Sequence, residues 1–394
     1  MGDVTTHFSN PGTDSSPAKT TGRKFASLLH FADVNPLTPQ FKDLEDGNEV
    51  PFMPLENVWA FGKADQSARK RWKKSDTSYT QFQDGDVLVP KVTPTVFHGR
   101  SMIADIDSEI GLATSEVHVL RCKQGVDPRW IVYNMLSGRF LDEARGTVFG
   151  VGGLQRISAQ YLQSYKILAI PLEAQRRIAD YLDKETSEID TLVGELDEYI
   201  ELLQTRLATK IRQMINSEYE EKAPLFAFGS IQSGNSISSD EISETGTYPV
   251  YGGNGIRGFA PISNQKEDKI LIGRQGALCG NVHLAKAPFY ASEHALVFSP
   301  SKEIDLRWLE FVLRDLDLGK LSQASAQPGI NGGEVIRQRL PVFPISKQSR
   351  RATELSMEEQ QTDTLIRECT ELKEILLKRR QVLITDVVTG KVEV

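Results

Sequence analysis

Gly253-Asn-Gly255-Ile-Arg-Gly258 has the spacing G-x-G-x-x-G, which at the start of a helix holds a pyrophosphate on backbone amides. Phe259-Ala-Pro261 follows at once, and a proline there would break the helix that such a site needs. The stretch therefore reads as a tight loop whose glycines admit positive φ and let backbone amides approach a phosphate or a base edge, or else as a turn without a ligand. Asn254, Arg257, Arg274 and Gln275 have the donor and acceptor types that pair with bases: Arg with guanine O6 and N7, Asn or Gln with adenine N6 and N7. In the first half of the chain Lys91, Thr93, Arg100 and Arg145 are similar candidates. An ordinary surface role competes at each of these positions. In the basic stretch that begins at Lys63, Arg69, Lys70, Arg71, Lys73 and Lys74 surround Trp72, an interleaving of cation and aromatic that suits a nucleic-acid groove as well as a solvated face.

The sequence carries no recognisable catalytic or metal-binding pattern. His118 and His294 sit just after Glu116 and Glu293, but no second ligand pattern accompanies either, so each reads as a hydrogen-bonded or surface histidine and no metal site is expected. G-x-x-x-x-G-K-[ST], the Asn/Asp-Pro-Pro-aromatic motif of adenine methyltransferases and a nuclease carboxylate cluster are all missing. Glu371-Leu-Lys373 has a nuclease-like spacing but falls in a heptad helix. A non-catalytic chain that binds no cofactor is expected. Cys122, Cys279 and Cys369 are too scattered for a disulfide framework, no run of about 18 apolar residues occurs and no signal peptide is recognisable, which points to the cytoplasm and away from membranes. A net charge of −7 argues against coating DNA without regard to sequence, which needs an excess of Lys and Arg, and leaves local basic surfaces open.

The elements that must position these residues are written twice. Asp86-Val-Leu-Val-Pro-Lys91 is echoed by Lys269-Ile-Leu-Ile-Gly-Arg274, each a plausible buried strand ending before a cation. Ala113-Thr-Ser-Glu116 is echoed by Tyr290-Ala-Ser-Glu293, Asp127-Pro-Arg-Trp130 by Asp305-Leu-Arg-Trp308, and Arg156-Ile-Ser158 through Pro171 by Gly329-Ile-Asn331 through Pro344. The constant order makes this an internal duplication. Trp130 and Trp308 read as core anchors.

Each copy runs into a long helical pattern. In the first, Ala179, Thr186, Val193, Ile200, Leu207 and Met214 recur every seven residues, with Leu182, Ile189, Leu196 and Leu203 three residues on. In the second, Leu355, Thr362, Cys369, Leu376 and Leu383 keep the period, flanked by Leu365, Ile366, Leu372 and Ile375. A helix of about 65 Å is too long for one small domain to cover, so the two should pair with each other, antiparallel, through Val193, Leu196, Ile200, Leu203 and Leu207 against Leu365, Cys369, Leu372, Leu376 and Leu383. The expected order is a tail over 1–22 too polar to pack, a globular domain over 23–171, a helix over 172–217, a second domain over 218–345, and a second helix with its tail over 346–394. The fold class is α+β: two similar α/β domains joined by two long helices. Such helices also suit a scaffold that organises proteins without touching DNA.

Gln81-Phe-Gln-Asp-Gly-Asp-Val-Leu-Val-Pro-Lys-Val-Thr-Pro94, Pro171-Leu-Glu-Ala-Gln-Arg-Arg-Ile178, Tyr248-Pro-Val-Tyr-Gly-Gly-Asn-Gly-Ile-Arg-Gly258, Ile270-Leu-Ile-Gly-Arg-Gln-Gly276 and Val388-Thr-Gly-Lys391 resemble the specificity (S) subunit of type I restriction-modification systems. Two junctions depart from that pattern: Pro344-Ile-Ser-Lys-Gln348 lacks the Glu before Gln, and Arg212-Gln-Met-Ile-Asn216 ends without Thr-Gly. The resemblance implies two target recognition domains that each read one half-site of a bipartite double-stranded DNA target. It also implies assembly with two adenine-N6 methyltransferase (M) subunits and with restriction (R) subunits, S-adenosylmethionine, ATP and Mg belonging to those partners.

Overall fold

A computed structural model describes residues 24–59, 65–75, 77–148, 150, 155–217, 221–322 and 328–394. Lys63 and the tail expected over 1–22 lie outside them. The chain forms two compact units, one from the residues up to Val193 with Lys373–Val394, the other from Gly194–Leu372.

The first unit contains β1 (Phe25–Ser27), β2 (Ala32–Val34), β3 (Glu49–Met53), β4 (Arg69–Arg71), β5 (Thr80–Gln83), β6 (Val87–Pro90), β7 (Met102–Ile103), β8 (Ile110–Ala113), β9 (Val117–Cys122), α1 (Pro128–Leu136), α2 (Gly138–Arg145), α3 (Ala159–Ser164) and β10 (Lys166–Leu168), and then enters α4 (Leu172–Asn216). The second contains β11 (Lys222–Pro224), β12 (Gly229–Ser233), β13 (Tyr248–Gly252), β14 (Gly255–Ala260), β15 (Lys269–Gly273), β16 (Val282–Ala285), β17 (Tyr290–Ala291), β18 (Ala295–Pro300), α5 (Leu306–Asp315), α6 (Gly332–Val335) and β19 (Arg339–Pro341), and then enters α7 (Ile345–Val388).

The duplication holds strand by strand. A sheet of order β2-β9-β6-β7 in the first unit corresponds to β12-β18-β15-β16 in the second, β4-β3-β8-β5 to β14-β13-β17, and the pair β1-β10 to β11-β19. In both smaller sheets the leading strand pairs antiparallel with the next strand in sequence and parallel with a later one. The apolar runs at the sheet centres are buried on both faces because alternate side chains enter different cores. Val87 and Val89 join the main core of their unit while Leu88 joins a second cluster, and Ile270 and Ile272 divide from Leu271 in the same way. Trp130 and Trp308 are core residues, 0% and 2% exposed, on helices capped by Asp127 and Asp305.

One echo in the sequence is out of structural register. Pro90 faces Val117 and Gly273 faces Ala295 across equivalent ladders, so Glu116 corresponds to His294 rather than to Glu293. The backbone agrees: the N–H groups of Lys91 and Arg274 donate to the carbonyls of Glu116 and His294. The two Ser-Glu pairs match as letters while the ladders set the alignment one residue away.

The heptad helices form, and in each unit a stretch of α4 packs antiparallel on a stretch of α7. In the first unit Arg380 pairs with Asp190 at 3.1 Å and Arg177 Nε donates to the Val394 carbonyl, while Ala179 and Leu182 share the core with Ile384, Val387 and Val388. In the second, Lys210 pairs with Glu358 at 2.6 Å, Arg351 donates to the Met214 carbonyl, and Ile211 and Ile215 share the core with Ala352 and Leu355. Of the seam residues, Leu203 is buried, Val193, Leu196, Ile200, Leu207, Cys369, Leu376 and Leu383 are half-buried, and Leu365 and Leu372 remain 39% and 46% exposed. The missing Glu at the second helix start has no effect on its key contact. Gln175 and Gln348 each donate to a carbonyl just before their helix, Ile170 and Phe343, and each accepts the N–H of the capping aspartate, Asp127 and Asp305, at 3.0 Å. Among the described residues no helix is long and apolar enough to cross a membrane.

Candidate nucleic-acid interface

In the second unit the site is built on the β13–β14 hairpin and the turn after β15. Gly252 pairs with Gly255, which leaves Gly253 and Asn254 as a two-residue tip, and Gly255 has φ +86°. The tip rests directly on the end of β15: a Cβ on Gly273 would stand 1.9 Å from the Gly253 carbonyl oxygen, an approach open only to glycine. The turn itself is pinned from both sides. Arg274 N–H donates to His294 O at 2.9 Å, Gly276 N–H to Pro328 O at 3.0 Å, and Ile330 N–H to Arg274 O at 2.9 Å.

These constraints hold open a cleft of about 580 Å³ lined by Asn254, Ile256, Arg257, Gln275, Leu278 and His294. Arg274 and Gln275 also line an adjoining hollow of about 330 Å³, and the Arg274 guanidinium donates to Ser233 Oγ at 3.1 Å. The amides are tethered from beneath: Asn281 Nδ2 donates to Asn254 Oδ1 at 2.6 Å, and His294 Nδ1 lies 3.2 Å from Gln275 Oε1. Ile256 and Leu278 expose half of their surface at the mouth. The four residues expected in this half thus come together, with two amides, two guanidiniums and two apolar side chains that match the polar edges and methyl groups of bases. His294, Asn281, Ile256 and Leu278 were not expected among them. An apolar residue set between hairpin glycines, as Ile256 is, was the available signal. Among the described residues no group of His, Cys, Asp and Glu could hold a metal ion.

In the first unit the equivalent positions carry other side chains. Lys91 takes the place of Arg274, but its ammonium donates to the Ser115 carbonyl and burial pushes its pKa down. Thr93 Oγ1 accepts the Gln155 N–H. Arg156, not singled out in the sequence, forms two hydrogen bonds with Glu116 at 2.8 and 2.7 Å, and this partner holds the Glu116 carboxyl below its usual range. Arg100 is a brace: it donates to the carbonyls of Leu55, Glu56 and Val58 and stacks on Trp59 at 4.0 Å. Arg145 pairs with Asp142 one turn earlier on α2.

The groove reading of the basic stretch is corrected at its aromatic. Trp72 is 5% exposed and packs edge-on against Phe41, because the two-residue period of the β4 backbone turns Lys70 and Trp72 inward and Arg69, Arg71 and Lys73 outward. Lys70 lies over the Tyr79 ring, Arg69 pairs with Asp107, and Arg71, Lys73 and Lys74 are exposed cations.

His118 occupies the position where the second unit has Leu296. Its ring meets Asn35 Nδ2 at 3.0 Å and the Ile157 carbonyl at 3.1 Å, and burial lowers its pKa to about 4. The unfolded chain takes up this proton near pH 6.5 and the folded chain only near 4, so the first unit should lose on the order of 3 kcal/mol as pH falls through that window. Denaturant unfolding at pH 7 and pH 5 checks this. His118→Leu should flatten the difference, and an unchanged slope would remove His118 as its source.

Residues 221–375 match the family model described as type I restriction modification DNA specificity domain. They are similar to a type I DNA specificity domain. The cleft, its hairpin and the start of α7 all fall inside this matched region. The Escherichia coli type I restriction enzyme EcoprrI specificity subunit is 38% identical over 149 residues, which cover 37% of this chain and 36% of that protein. The Escherichia coli EcoEI specificity subunit is 27% identical over 195 residues, 48% of this chain and 32% of that protein. The chain therefore covers about a third of the length of these relatives. A chain solved in work on complex assembly and conformational transition of the type I R-M system aligns over 94% of this chain and 99% of its own length, at a TM-score of 0.78 and 15% identity. The HsdS subunit from Thermoanaerobacter tengcongensis aligns over 94% and 98% at a TM-score of 0.55 and 14% identity. The resemblance to type I specificity subunits and the α+β fold of two similar units are thereby shown.

Proposed function

We propose that the chain is a non-catalytic specificity subunit that reads a bipartite double-stranded DNA target, one half-site per unit. The observation that carries this is the cleft of base-matching side chains inside the matched region, on a fold that the first unit repeats with different residues at the equivalent positions. Shared backbone with changed readers is what two half-sites of unlike sequence require. In this reading the exposed apolar residues of the helices, Leu192 and Leu202 on α4 and Leu365, Leu372 and Ile375 on α7, offer area for the adenine-N6 methyltransferase subunits. Those subunits would supply S-adenosylmethionine, and restriction subunits ATP and Mg.

Sequencing the methylome of cells that carry variants of the chain tests this. Replacing Arg257, Arg274 and Gln275 by alanine should relax base preference in one half-site and leave the other unchanged, since each lost bidentate contact costs about 1 to 3 kcal/mol of discrimination. Neutralising Arg71, Lys73 and Lys74 should weaken binding to all sequences and flatten its salt dependence, because phosphate contacts position without specifying. Relaxation of both half-sites by the first set would refute the assignment of one unit to one half-site.

A further inference from the structure

We infer that His294, held by Glu293, is a positioning residue that sets which half of the Gln275 amide is turned toward DNA, and so which class of base Gln275 accepts. This rests on the cleft being the surface by which the second unit reads its half-site.

The two ring nitrogens of His294 face two different oxygens: Nδ1 lies 3.2 Å from Gln275 Oε1 and Nε2 lies 3.2 Å from Glu293 Oε1. Glu293 Oε2 is buried without a protein hydrogen bond among the described residues, which leaves the imidazole as the partner of this carboxylate. A carboxylate only accepts, so it keeps a hydrogen on Nε2. When the ring is neutral, Nδ1 is then a lone pair and can hold Gln275 only by accepting from its Nε2–H. The carbonyl oxygen is left facing the cleft, where it accepts from the amino group of adenine or cytosine. When the ring carries a second hydrogen, Nδ1–H donates to Oε1 and the amide presents its NH₂ group to the oxo group of guanine or thymine. In either state the ring admits one orientation. The two ends of an amide have the same shape, so without a ring nitrogen beside it Gln275 would offer both.

Arg274 N–H donates to the backbone carbonyl of His294, so the residue's place in the turn is fixed independently of its ring. Its side chain can therefore be replaced with the turn retained. The test is selection from randomised duplex DNA by the chain assembled with its methyltransferase subunits. With the native chain, one position of the half-site should prefer either amino-bearing or oxo-bearing bases. His294→Phe should reduce that preference about tenfold and leave the other positions as they are. Glu293→Gln, outside the cleft lining, should loosen the same position and carries the test if His294→Phe does not fold.

In a Gln275→Glu background the carboxylate presents an oxygen whichever way it turns, so adding His294→Phe should change nothing further. A merely structural His294 would instead degrade all positions alike in both backgrounds. Unchanged preference in both His294→Phe and Glu293→Gln would overturn the inference. So would a native base preference that survives Gln275→Ala, which leaves the recognition reading standing. A native complex that selects no sequence would remove that reading itself.

Discussion

Valine in place of Gly273 is expected to abolish preference in the half-site read by the second unit and to destabilise that unit by about 3 kcal/mol or more. The added Cβ would lie 1.9 Å from the Gly253 carbonyl oxygen, a backbone atom that cannot swing aside as a long side chain could. The hairpin tip would have to lift, carrying Asn254 and Arg257 out of the cleft. In the first unit the equivalent position is Pro90, which is tolerated because β3 and β4 are joined by a long connection instead of a two-residue tip. Gly194→Ala is the control: this glycine lies within α4, away from the cleft, and an added Cβ there would meet nothing within 4 Å. Thermal melting and methylome sequencing read the two effects. Full preference retained by Gly273→Val would show that the tip does not govern recognition.

Glutamate at Leu355 is expected to unfold the second unit. Leu355 is 0% exposed in its core beside Ile211, Ile215 and Ala352, and an unpaired carboxylate there costs at least about 3 kcal/mol. That is a large share of the 5 to 15 kcal/mol that holds a domain together. Leu365→Glu on the same helix changes a side chain that is 39% exposed and should leave the melting temperature almost unchanged while weakening assembly with methyltransferase subunits. Melting curves and co-purification separate the two. Equal destabilisation by both variants would mean that Leu365 is covered within the chain.

How much was legible follows from what each kind of pattern encodes. The heptads of α4 and α7 and the strands β6 and β15 announced themselves, because their side chains report periodicity and burial directly. The Asn254, Arg257, Arg274 and Gln275 grouping was legible too, since hairpin glycines and a strand end are local signals. What failed was non-local. Trp72 among five cations looks exposed until the β4 register turns it onto Phe41. Arg100 looks like a free reader until three carbonyls of a segment more than forty residues earlier claim it. The Ser-Glu echo matched as letters, and only the ladders showed His294 standing where Glu116 stands.

Gln175 and Gln348 give the duplication a practical boundary. Each divides one amide between the helix it begins and the aspartate that caps α1 or α5, more than forty residues earlier. A graft that separates Asp127 from Gln175, or Asp305 from Gln348, asks an inherited amide to meet a foreign chain. The smallest cassette transferable between relatives without disturbing that joint contains the whole interval, 127–175 or 305–348. A recombination cut just beyond Gln175 or Gln348 leaves the socket intact for whatever reader is placed before it.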